Sequence, residues 1–148
     1  MVEFVIVASL LFFLLFGIME FGFMMSTQLT LQAAAHQGAR AAALGKPALI
    51  AGQNAANPIS VQKSVDNALA GLNKAYLVNA NGYTASANSG GGWTAWTPGT
   101  SPTGGNEAQI RVTVQYRYRP ITFVGSMLKD TGQVYRTMSA DSVMRFGG

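Results

Sequence analysis

A nearly unbroken apolar block opens this chain, and a carboxylate sits inside it. Phe4 to Met19 carries no charge, Glu20 interrupts the run, and Phe21 to Met25 resumes it. As a helix, Phe4–Met25 is long enough to cross a bilayer, which takes roughly 20 residues. Its only charges are Glu3 at the mouth and Glu20 deep inside. A lone acid at such a depth implies a partner. The combination predicts a helix that leaves the membrane for a second apolar environment made of protein.

Charge is divided along the chain. Residues 1–35 hold two acids and no base, whereas residues 36–148 hold ten bases and four acids. Those bases are scattered and form no cluster suited to nucleic acid, so no specific nucleic-acid partner is predicted. The chain has no cysteine and a single histidine, His36. Disulfides, thiolate metal sites and cysteine nucleophiles are thereby excluded. Without paired carboxylates in one element, a phosphate-type glycine loop or metal-ligand spacing, the sequence assigns no catalytic residue, cofactor or metal.

The start lacks the basic n-region of a cleavable secretory signal, because Glu3 stands where Lys or Arg belongs. The expected precursor carries its basic residues in an upstream leader, or is an uncleaved anchor that begins further upstream.

The first helix is predicted from about Val2 to Leu44, with Gly45 as its C-cap and Pro47 blocking continuation. At 1.5 Å per residue it spans roughly 65 Å, so only its first half fits a bilayer core. In the second half Leu31, Ala34, Ala35, Gly38, Ala41, Ala42 and Gly45 form a narrow stripe of mostly small side chains. Such a stripe lets two backbones approach closely.

Beyond it, Asn57-Pro58 predicts the start of an amphipathic helix over about 58–75, with Val61, Val65, Ala68, Leu69, Leu72 and Tyr76 inward. A Gly/Ser/Asn/Thr-rich stretch over 79–106 follows, with a short strand expected at Tyr83–Ala87. The clearest strand alternates Ala108, Ile110, Val112, Val114, Tyr116 and Tyr118 with polar residues and ends at Pro120. A second, over about 134–146, places Val134, Met138, Ala140, Met144 and Phe146 on one parity, with Asp130-Thr131-Gly132 as the turn between them. The fold class is therefore α+β. A helix over 1–45 leads into a small globular head over 46–148, in which the 58–75 helix covers a short antiparallel sheet.

The residues open to function are few. Glu3 either complements the helix dipole, worth about 0.3–1 kcal/mol, or bridges to the α-amino group of a neighbouring copy and fixes register. Around Glu20 the i±3 and i±4 neighbours are Phe16, Gly17, Phe23 and Met24, so no intrahelical partner exists. It either snorkels to water near the interface or contacts another copy, through Arg40 or a terminal amine. Gly17 and Gly22 flank it and leave room for close approach or local unwinding. Trp93 and Trp96 form a Trp-x-x-Trp pair that either anchors its loop or offers a surface contact to sugars or a second subunit.

Val2-Glu3-Phe4, the apolar run, and then Leu15-Phe16-Gly17-Ile18-Met19-Glu20-Phe21-Gly22 resemble the N-terminal signature of TadE-like proteins. These are pilin-like components of tight-adherence (Flp-type) pilus systems. The Ala-rich segment Ala33–Ala43 and the late strand pair ending near Ser142-Val143-Met144-Arg145 are similar to that family too. The resemblance implies a type IV-like precursor in the inner membrane, a prepilin peptidase that removes its leader, and an ATPase-driven assembly machine that extracts it. It further implies that Glu3 is the acid near the mature N-terminus and Glu20 the second acid before Phe-Gly. The expected product is a subunit that polymerises with itself into an extracellular filament. The alternatives are a minor pseudopilin that primes or caps a pilus of another pilin, and a membrane-anchored binding module that never polymerises.

Overall fold

The strand with the strict alternation forms the centre of the head. In the computed structural model, which describes residues 2–45, 60–104, 107–122 and 135–147, it is the third strand of four. The elements run α1 (Val2–Ala43), α2 (Val61–Ala68), a 3-10 turn (Lys74–Tyr76), β1 (Thr84–Asn88), β2 (Trp93–Ala95), β3 (Gln109–Tyr118) and β4 (Arg136–Arg145). The sheet order is β2-β1-β3-β4 and every pairing is antiparallel. Ile110, Val112, Val114, Tyr116 and Tyr118 all face the core, as the period-two pattern requires. The β3–β4 ladder runs from Gln109 opposite Arg145 to Tyr118 opposite Arg136. Met138, Ala140 and Met144 thus share the core face with the β3 residues. The chain is α+β, with a hydrophobic N-terminal helix and an antiparallel sheet.

The cover over that sheet differs from the expectation. The 58–75 helix was to lie on the apolar face, yet α1 itself packs against both β3 and β4, and α2 packs on α1. The small-residue stripe explains the change. Leu31, Ala34, Ala35, Gly38, Ala41 and Ala42 are all buried in the head. A Cβ added at Gly38 would lie 2.7 Å from Val65 Cγ2 and 3.1 Å from Val112 Cγ1. Only a residue without a side chain lets α2 and β3 close on the helix together there. The stripe is a seam within one chain. Among the largest fully buried side chains are Leu31, Leu69, Ile110, Val61, Val65, Val112 and Val114, each worth roughly 1.5–3 kcal/mol on burial.

The second helix is also shorter than predicted. Ser60 caps it, its hydroxyl accepting from the Lys63 amide at 3.1 Å, while Asn57-Pro58 lies outside the described residues. It ends at Ala68, and the chain turns through Ala70-Gly71 into a separate 3-10 turn capped by the Asn73 side chain. Gly45 does terminate α1, at φ +72° with its amide on the Ala42 carbonyl. Pro47, Val134 and the Asp130-Thr131-Gly132 turn lie outside the described residues.

α1 and β4 run in the same direction. The Gln28 amide donates to the Ser139 carbonyl at 3.1 Å, and the Gly147 amide donates to the Ala43 carbonyl at 2.9 Å. The head therefore occupies the helix from Glu20 to Ala43. The residues before Glu20 have no head beside them. An 18-residue apolar window with mean hydropathy 2.6 has none of its residues buried, and by length and composition the helix can cross a membrane.

Candidate functional site

Where the bare rod meets the head, Glu20 is 2% exposed. β3 delivers its partners. Tyr118 is the last core-facing residue of that strand, and its hydroxyl donates to Glu20 Oε1 at 2.8 Å. Pro120 then ends the strand. The two amides after it turn toward the helix, Ile121 N–H donating to Oε1 at 3.3 Å and Thr122 N–H to Oε2 at 2.9 Å. The Thr122 hydroxyl adds a fourth bond to Oε2 at 2.8 Å. Four donors on two oxygens are the complement of an ionised carboxylate. Burial raises the Tyr118 phenol well above its ordinary value, and the hydrogen bond to Glu20 and the carboxylate charge push it the same way.

This arrangement answers the question that Glu20 poses in the sequence. Its partners come from the same chain, so neither water nor another copy is required to satisfy it. Arg40, expected above to reach Glu20 only from another copy, lies about 30 Å further along the helix within its own chain. There it is an exposed last-turn base that complements the helix C-terminus. Sequence reasoning missed Tyr118, Ile121 and Thr122. One signal was available: a tyrosine closing the buried parity of a strand needs an acceptor for its hydroxyl, and Glu20 is the acid with no local partner.

The other candidate residues are dispersed. Glu3 is exposed in the first turn of α1. Gly17 and Gly22 have nothing within 4 Å of an added Cβ, so the fold of a single chain makes no use of their small size. Trp96 packs edge-on against Phe146 with centroids 6.3 Å apart. Trp93 opens β2 beneath the Arg111 guanidinium, 3.9 Å from its ring centre. Both tryptophans are thus held by the head, Trp93 on the outer face of the sheet and Trp96 against the end of β4. Two hydroxyls of α1 are satisfied by the helix itself: Ser9 donates to the Ile6 carbonyl at 2.8 Å and Thr27 to the Phe23 carbonyl at 2.9 Å. Among the described residues no group of three or more acids and histidines could hold a metal ion.

One carboxylate clasps a head to a helix at a fixed height and leaves an apolar rod below it. No curated protein and no solved structure matches the chain. Residues 1–40, the stretch that holds Glu3 and Glu20, match the model of the family described as TadE-like protein.

Proposed function

We propose that this protein is a structural subunit of a type IV-like, Tad-type pilus, anchored in the membrane by its N-terminal rod and polymerising through that rod into an extracellular filament. One observation carries the reading: the rod before Glu20 exposes apolar surface on every side, Phe4 being 78% and Leu10 70% exposed, and its own head covers none of it. Surface of that kind needs lipid or protein around it. The family match on residues 1–40 and the apolar helix both fit a pilus-associated protein. A helix satisfies its backbone internally, so it can pass from lipid to a bundle of its own kind without exposing unpaired groups. Repeated head-to-tail contact that does not close then generates a fibre.

In this reading Glu3 meets the terminal amine of an adjacent subunit, and Gly17 and Gly22 admit a neighbouring helix at close range. The test is to shear fibres from cells, identify their bulk protein, and repeat with Glu3→Ala. Fibres built mainly of this chain, lost in the variant while the protein stays in the membrane, are the expected result. Fibres made of a different protein, with this chain only in trace amounts, would replace polymerisation by a priming or capping role.

A further inference from the structure

The clasp fixes which end of the head faces the membrane, and that end is basic. Tyr118 is pinned to Glu20, about 27 Å of helix beyond Val2, close to the thickness of a bilayer core. Arg117 and Arg119 flank Tyr118 in the chain, and Arg136 lies opposite it in the ladder. All three are exposed, and none forms an ion pair among the described residues. Glu20 is buried at this end under its four donors, and the other described acids of the head lie elsewhere. Asp141 is opposite Thr113 in mid-sheet, Glu107 pairs with Arg145 at the far end, and Asp66 is held by Lys74 at 3.2 Å. Beside Tyr118 opens a groove of ≈ 610 Å³ whose lining includes Phe23, Leu72, Tyr76, Tyr116, Arg119 and Ile121. It joins a guanidinium and phenols to apolar walls just above the bare rod.

We infer that this end of the head docks on an anionic lipid surface, with Arg117, Arg119 and Arg136 engaging phosphate headgroups and the groove beside Tyr118 receiving one of them. The inference rests on the membrane anchoring proposed above. Guanidinium groups suit phosphate because their fork of donors matches its oxygens. An amphipathic groove accepts both the headgroup and the upper part of its glycerol backbone. A basic residue close to an anionic leaflet strengthens binding about fivefold, and the effect weakens as salt shortens the Debye length. Docking would hold the head flat on the bilayer and set the tilt of the rod before assembly.

The experiment places the full chain in phosphatidylcholine nanodiscs with and without phosphatidylglycerol and follows hydrogen exchange over residues 71–77 and 116–122. In parallel, phosphatidylglycerol is titrated into the detergent-solubilised chain by native mass spectrometry. Slower exchange at both segments is expected only with the anionic lipid. Arg119→Gln should weaken the titrated binding about fivefold, and the triple variant with Arg117→Gln and Arg136→Gln roughly a hundredfold. Lys63→Gln, in the first turn of α2 and outside the groove's lining, should leave it unchanged. Equal exchange in both lipids, or a triple variant that binds as the parent does, overturns the docking. A chain that enters neither disc overturns the anchoring reading and the docking with it.

Discussion

Replacing Glu20 by Gln keeps the length of the side chain and removes the charge that four donors converge on. Hydrogen bonds to charged groups contribute about 1.5–3 kcal/mol and neutral ones about 0.5–1.5, and the new amide also turns a donor toward donors. Glu20→Gln should therefore destabilise the docked head by about 2–4 kcal/mol, measured by urea unfolding of the full chain in detergent. Exchange of the Ile121 and Thr122 amides should accelerate with it. Tyr118→Phe should cost less. The double variant should fall short of the sum by at least about 0.5 kcal/mol, because both changes break one network; strict additivity would contradict the clasp. The tyrosines supply a second test at this scale. Burial raises Tyr83 to about 12. It raises Tyr116 too, helped by the neighbouring Tyr76, and Tyr118 through burial and Glu20. Each folded value lies above the unfolded value near 10. The stability these phenols contribute is therefore complete below pH 10 and is lost as pH rises through the folded values. Tyrosinate absorbance, compared with single Tyr→Phe variants, should show Tyr83, Tyr116 and Tyr118 ionising late and together with unfolding of the head. Ionisation of these three near pH 10 with the head intact would contradict their burial.

Among the elements, α1 serves two environments, and its glycines report which is which. Gly38 sits where two valines approach within 2.7 and 3.1 Å of a would-be Cβ. Alanine there gains about 1 kcal/mol of helix propensity and loses about 1–3 to overpacking. Gly38→Ala should therefore lower the melting temperature of the head. Gly17→Ala and Gly22→Ala, with open space around them, should leave it unchanged; a fall equal to that of Gly38→Ala would show the rod packed on the head. Much of this division was legible in the sequence. Alternation alone fixed the inward face of β3, and the small-residue stripe marked a close-packed seam on α1. What packs in that seam was not legible. A stripe of small residues specifies close approach without specifying what approaches, so α1 took the sheet-covering role expected of the 58–75 helix. The second helix was overextended because Ala68, Leu69 and Leu72 keep the apolar period past the point where Gly71 and the Asn73 cap end it. The Glu20 site was half legible: the acid without an intrahelical partner was evident, but its donors lie about a hundred residues away and two are backbone amides, which no side-chain pattern records.

For the whole molecule, the clasp converts one long helix into a two-part device. Above Glu20 the helix is the spine of a folded head; below it the helix is bare. If the rod is the polymerising part, neighbouring copies must touch within residues 2–19 and along the outward face that continues through Phe21, Met25 and Leu29, all of them exposed. The chain has no cysteine of its own, so single cysteines can be introduced along this surface without background. The most direct measurement is therefore oxidative cross-linking of single-cysteine variants at Leu10, Phe13 and Phe21, made in sheared surface fibres and in membranes. The account predicts cross-linked ladders of this chain in the fibre fraction at one or more rod positions, and none from a cysteine placed at the core residue Val114. Absence of the chain from every fibre fraction, with no rod position ever joining two copies, would contradict it.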